Sequence, residues 1–199
     1  MSRFELALYA GPVVYAPGET VLLLLPEDER PLRGDAGWVD WRLCGQISRR
    51  LLAGDLTGKL GEAALLPGRE PLRATRLLLL GVGPCAGLVD GSLSRILKDA
   101  ATRLRELRTR SALLVLPAGI DLEHCTLPLL TGLILGLAAD PGREPFRLVV
   151  PDATPRARIL EAALGELLPR ARRSGMTLEL GWLSSRSESP VERATEVDI

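Results

Sequence analysis

The stretch from Arg76 to Pro117 constrains the fold more than any other part of the chain. An apolar run Leu77 to Leu80 meets glycines at 81 and 83, an amphipathic segment follows from Ser92 to Leu107, and a second apolar run covers Ala112 to Leu116. That order reads as strand, turn, helix, strand, a βαβ unit. Both runs are almost continuously apolar instead of alternating, as strands covered on both faces of a parallel sheet must be. A chain built around such a unit needs helices on both sides of its sheet.

The remaining segments supply them. Phe4 to Tyr9 alternates weakly, as a strand near a sheet edge would. Val21 to Leu25 is a solid apolar strand stopped by Pro26, Glu62 to Leu66 a short one stopped by Pro67, and Phe146 to Val150 another between prolines. Helical spacing appears over Trp38–Ala53, with Val39, Leu43, Ile47 and Leu51 four apart and Asp40, Arg42, Arg49 and Arg50 off that stripe. Trp41, Cys44, Ser48 and Leu52 form the adjoining row. Further helices are predicted over Ser92–Leu107, Thr126–Ala139 and Pro155–Leu168. In the third, Pro128 is placed in the first turn, where its missing N–H has no partner to lose, and Gly132 and Gly136 share a face that can lie close against a sheet. Met176 to Leu183 reads as an edge strand. The expected architecture is a single three-layer α/β/α domain over residues 1–183, with a mixed, largely parallel sheet, and a polar, disordered tail over 184–199.

With 199 residues the chain can bury roughly 70% of its unfolded surface without disulfide or metal support. Its 25 basic and 25 acidic residues cancel, which leaves no global field for nucleic acid or an anionic membrane. The longest apolar stretch, Leu127 to Ala139, is too short for a bilayer crossing, and the N-terminus has no secretory pattern. Cys44, Cys85 and Cys125 are odd in number and widely spaced, and are expected as small buried hydrophobes in a reducing compartment. A cytoplasmic location is the expectation.

Three runs stand in a telling order: Gly45 to Leu52, then Gly54-Asp55-Leu56-Thr57-Gly58-Lys59-Leu60-Gly61-Glu62, then Arg76 to Gly83. They resemble the N-terminal domain of the leucyl aminopeptidase family, in which "G-x-x-S-x-L-L", "G-D-F-x-G-K-x-G-E" and "R-V-L-L-V-G-L-G" recur at similar spacing. Gly132 to Gly136 resembles that family's "G-x-x-L-G" helix. The likeness covers roughly Val21 to Val150 and implies a macro-domain-like fold of the non-catalytic half. The family's metal-binding motif "N-T-D-A-E-G-R" is absent from this sequence, so no catalytic residue, metal ligand or cofactor is carried over.

Four clusters are candidates for function. Gly81-Val82-Gly83-Pro84-Cys85-Ala86 follows a strand as a phosphate-binding turn does, which makes Gly81 and Gly83 candidate ligand contacts; a plain strand-end turn is the alternative, since Pro84 removes one N–H. His124 beside Asp121, Glu123 and Cys125 lacks the spacing of a metal site. Arg156, Arg158, Arg170, Arg172 and Arg173 make a helix locally basic, but no aromatic residues interleave, so it reads as a solvated face and not a nucleic-acid groove. Trp38, Asp40, Trp41 and Arg42 concentrate residue types that dominate binding hot spots; the alternative packs one tryptophan into the core and leaves the charges to solvent. The expectation is a non-catalytic protein-interaction domain, docking to a partner or to itself, with a phosphate-containing small ligand such as ADP-ribose as the competing reading.

Overall fold

The two runs that anchor the sequence analysis become strands β4 (Arg76–Gly83) and β5 (Ser111–Val115), both paired in parallel with β2 (Thr20–Pro26), which lies between them. The computed structural model describes residues 2–70, 72–85, 88, 90–138, 145–151, 156–173 and 175–183. Among these, the sheet has seven strands in the order β3-β4-β2-β5-β6-β1-β7, where β1 is Ser2–Tyr9, β3 Ala63–Pro67, β6 Phe146–Val150 and β7 Met176–Leu183. β3 alone runs antiparallel, at one edge. β7 forms the other edge, as its sequence predicts, parallel to β1.

Central strands are apolar because both of their faces are covered. Every residue of β2 is buried, and its side chains divide between two cores. Leu22 and Leu24 meet helices α3 (Asp90–Glu106), α4 (Leu122–Ala138) and α5 (Ala157–Arg173). Val21, Leu23 and Leu25 meet α1 (Gly34–Arg42) and α2 (Gln46–Ala53). Each such leucine contributes about 1.5–3 kcal/mol of burial. The result is the expected three-layer α/β/α arrangement. No helix among the described residues is long and apolar enough to cross a membrane.

Several expectations need correction. The single helix over Trp38–Ala53 is two helices, because Cys44 (φ 54°) and Gly45 (φ 74°) turn left-handed between them. Asp40 is not a solvent-facing charge: it is buried, 6% exposed, and its carboxylate accepts from the N–H groups of Ile47 (2.7 Å) and Ser48 (3.2 Å) and from the Ser48 hydroxyl. A carboxylate on the first amides of α2 restarts the helix that the left-handed pair interrupts. Of the cysteines, Cys125 is buried, Cys85 partly so, and Cys44 exposed at the break. Leu52, on the row beside the buried stripe, is exposed as well.

The helix expected from Thr126 begins at Leu122, so Pro128 stands inside α4 and not in its first turn. Asp121 caps it, accepting from the Glu123 N–H at 3.0 Å and the His124 N–H at 3.4 Å. The glycine face of α4 meets a helix and not the sheet. A Cβ on Gly132 would lie 2.3 Å from the Ser94 carbonyl oxygen, and one on Gly136 would lie 2.5 Å from the Ala101 Cβ, both in α3. α5 runs on to Arg173, past the expected end at Leu168. Its expected start at Pro155, the expected last residue of the preceding helix, Ala139, and the tail over 184–199 lie outside the described residues.

Candidate functional site

Two regions hold the tryptophan cluster and the glycine turn singled out by sequence, and they differ in what they leave to solvent; the arginines of the basic cluster lie on α5 and at its start. The first is the face formed by α1 and the short turn Val13–Tyr15. Asp40 points inward, which throws Trp38 and Trp41 outward: they are 57% and 64% exposed, their rings 5.8 Å apart and perpendicular. The Arg42 guanidinium lies 5.3 Å from the Trp41 ring centre and 5.4 Å from that of Tyr15, and donates to the Tyr15 hydroxyl at 2.8 Å. These are cation–π distances. The Arg42 Nε is buried without a hydrogen-bond partner. A cleft of about 520 Å³ opens here, floored by Ala10 to Val14 and walled by Tyr15, Trp38, Trp41 and Arg42.

Trp38, Trp41 and Arg42 therefore come together, Asp40 does not, and neither tryptophan is the core residue that the alternative reading required. Tyr15 is the member that sequence reasoning missed. It sits 27 residues before Arg42, between Pro12 and Pro17, and no periodicity links the two segments.

The second region lies at the carboxyl ends of β2, β4 and β5. Gly81 and Gly83 belong to β4 itself and not to a turn after it. Their N–H groups donate to the carbonyls of Glu62 (2.7 Å) and Gly58 (2.9 Å), and so are not offered to a ligand. The segment that takes them is the Gly54–Glu62 run. The Glu62 carboxylate accepts from the N–H groups of Thr57 (2.8 Å) and Gly58 (2.7 Å) and ties the loop into a clasp. A Cβ on Gly81 would stand 2.0 Å from the Lys59 carbonyl oxygen, so this glycine is needed for close approach and not for a phosphate.

Beyond the clasp, the Asp28 carboxylate accepts from the Cys85 N–H at 2.9 Å. Glu29 accepts from the N–H groups of Arg33 (3.1 Å), Ala118 (3.0 Å) and Gly119 (3.4 Å). Burial, and then the Asp28 and Glu29 charges, push the Cys85 thiol up to about 11, which keeps it a thiol at neutral pH and a poor nucleophile. Asp121 pairs with the His124 ring at 2.8 Å; that contact, and then the His124 N–H, hold its carboxyl below the ordinary range. Asp121 and His124 thus serve a helix cap, and no group of three His, Cys, Asp or Glu side chains among the described residues is placed to hold a metal ion.

Comparison with known proteins agrees with this architecture. The family described as "Cytosol aminopeptidase family, N-terminal domain" matches residues 20–137. A probable cytosol aminopeptidase of Pseudomonas syringae pv. tomato is 35% identical over 95 residues, which cover 48% of this chain and 19% of that protein. The chain thus matches about a fifth of the length of this curated relative. Among solved structures, tomato leucine aminopeptidase superposes with a TM-score of 0.60 at 18% identity, covering 84% of this chain and 37% of that one. A Trypanosoma brucei macrodomain in complex with ADP-ribose gives 0.64 at 21% identity, covering 80% and 69%. These two likenesses are of fold.

Proposed function

Since the chain belongs to the cytosol aminopeptidase family through its N-terminal domain, we propose that it is a non-catalytic interaction domain that associates through the face of Tyr15, Trp38, Trp41 and Arg42. The observation that carries this reading is the pair of adjacent tryptophans, each more than half exposed, beside a cleft whose arginine has an unpartnered buried Nε. Aromatic area and a directional cation together make a binding hot spot. Arg42 holds the Trp41 and Tyr15 rings in place from within the chain, which leaves the exposed ring area of Trp38 and Trp41 as a self-complementary surface. Two copies related by a two-fold axis can stack these rings on each other, and a second copy of the chain is the partner we assign.

The match to the family is to its N-terminal domain, and the described side chains provide no metal-ligand cluster with which to activate water for peptide hydrolysis. A purified, metal-supplemented aminopeptidase assay is expected to show no turnover that depends on this chain. The proposal itself is tested by sedimentation of the wild-type protein beside Trp41→Ala/Arg42→Ala, in which loss of association with an unchanged circular dichroism spectrum is the expected result.

The competing reading, a macro-domain-like binder of a phosphate-containing ligand, draws support from the likeness to a macrodomain solved with ADP-ribose. Against it stand the internal hydrogen bonds of the Gly81 and Gly83 N–H groups. Calorimetry with ADP-ribose decides between the two, and the interaction reading expects no heat from the wild-type chain.

A further inference from the structure

The carboxyl ends of β2 and β5 lie at a point where the chain parts to opposite sides of the sheet. β2 leads into α1, in the core with Val21 and Leu23, whereas β5 leads into α4, in the core with Leu22 and Leu24. In an open α/β sheet the crevice at such a point is where ligands bind, and backbone N–H groups that face it receive anions. Here the loops after β4 and β5 turn the N–H groups of Cys85, Ala118 and Gly119 toward the loop after β2. Anions already meet them: the carboxylates of Asp28 and Glu29, at 2.9, 3.0 and 3.4 Å.

We propose that this crevice is an anion site ligated by the chain's own carboxylates, Asp28 and Glu29 standing where the phosphates of a diphosphate ligand would stand. Three features support it. The donors come from two different loops, while both carboxylates come from a third, so the contacts bridge the crevice and do not merely trim one turn. Asp28 is exposed and Glu29 half-buried, so neither is locked into a packed core. The fold is shared with a macrodomain in complex with ADP-ribose, a diphosphate ligand. Glu27 adds a third negative charge at the same loop and Arg30 and Arg33 partly offset it, so what an incoming phosphate meets first is the occupied donors. The inference is independent of the association proposed for the tryptophan face.

Calorimetry of the full chain with inorganic pyrophosphate and with ADP-ribose tests it, using wild type, Asp28→Ala/Glu29→Ala and the near-isosteric Asp28→Asn/Glu29→Gln. Wild type is expected to give no saturable heat at millimolar ligand. A variant that frees the donors and removes two like charges is expected to bind pyrophosphate at least about tenfold more tightly. Wild type binding as tightly as Asp28→Ala/Glu29→Ala overturns the proposal, as does a folded Asp28→Ala/Glu29→Ala variant that gains nothing; the Asn/Gln variant, which removes the charges but keeps acceptor oxygens, is expected to gain less. A readout on wild type alone covers the case in which the variants do not fold. With the donors already occupied, the amide resonances of Cys85, Ala118 and Gly119 in wild type are expected to stay put as pyrophosphate is added to millimolar concentration, and a saturable shift of the three overturns it.

Discussion

The strand-end crevice and the tryptophan face are opposite solutions to the same problem. At the crevice, polar groups that could serve a ligand are consumed internally: Gly81 and Gly83 by the Gly54–Glu62 clasp, Cys85, Ala118 and Gly119 by Asp28 and Glu29. On the tryptophan face, large aromatic surface is left to water although burying it would be favourable. The difference teaches where the proposed association belongs: the polar groups of the crevice are already paired within the chain, whereas the aromatic face is left to water. Asp40 and Trp41 show the division at adjacent residues, one holding α2 from within and the other offering its ring to solvent.

Substitutions can break this contrast. The largest effect is expected at the clasp, where Gly81→Ala would drive a methyl group into the Lys59 carbonyl; overpacking of this kind should cost about 3 kcal/mol of stability, read from denaturant unfolding. Next comes Trp41→Ala/Arg42→Ala, expected to weaken association by more than about 2 kcal/mol while the circular dichroism spectrum of the folded chain stays that of wild type. Asp40→Ala, one residue away, should do the reverse, lowering stability by about 1–2 kcal/mol through lost caps on α2 and leaving association largely unchanged in the folded fraction. An Asp40→Ala variant as stable as wild type would erase the assigned division of labour.

The smallest effect concerns Cys85. Its thiol, ordinarily near 9, is raised to about 11 by burial and by Asp28 and Glu29. The thiolate fraction below pH 9 is therefore lowered, and alkylation of Cys85 should lag far behind that of exposed Cys44. Because burial is the larger cause, Asp28→Asn/Glu29→Gln should speed Cys85 alkylation only modestly, its rate still rising with pH, as mass spectrometry of the labelled chain would show.

The layers of the fold were legible because each strand's apolar run records how many of its faces are covered. The fully buried β2, and the edge strand β7 with its exposed Trp182, differ in sequence for that reason. The break between α1 and α2 was not legible: Val39, Leu43 and Ile47 keep helical spacing through it, and all three are buried as predicted. What interrupts the helix is a backbone conformation at Cys44 and Gly45, supported by the Asp40 side chain. The close-approach role of Gly132 and Gly136 could be read from their spacing, but not that α3 is the element approached. Trp38, Trp41 and Arg42 were readable as a cluster because they lie within one helix, whereas Tyr15, and the reach of Asp28 and Glu29 to Cys85 and Ala118, depend on contacts between distant segments. Such contacts leave no period in the sequence.

Sedimentation equilibrium of the wild-type chain and of Trp41→Ala/Arg42→Ala, over the same span of protein concentration, tests the central claim most directly. The account predicts that wild type associates reversibly and that the double variant, equally folded, stays a monomer. A wild-type chain that remains monomeric throughout, or a variant that associates as strongly as wild type, would contradict it.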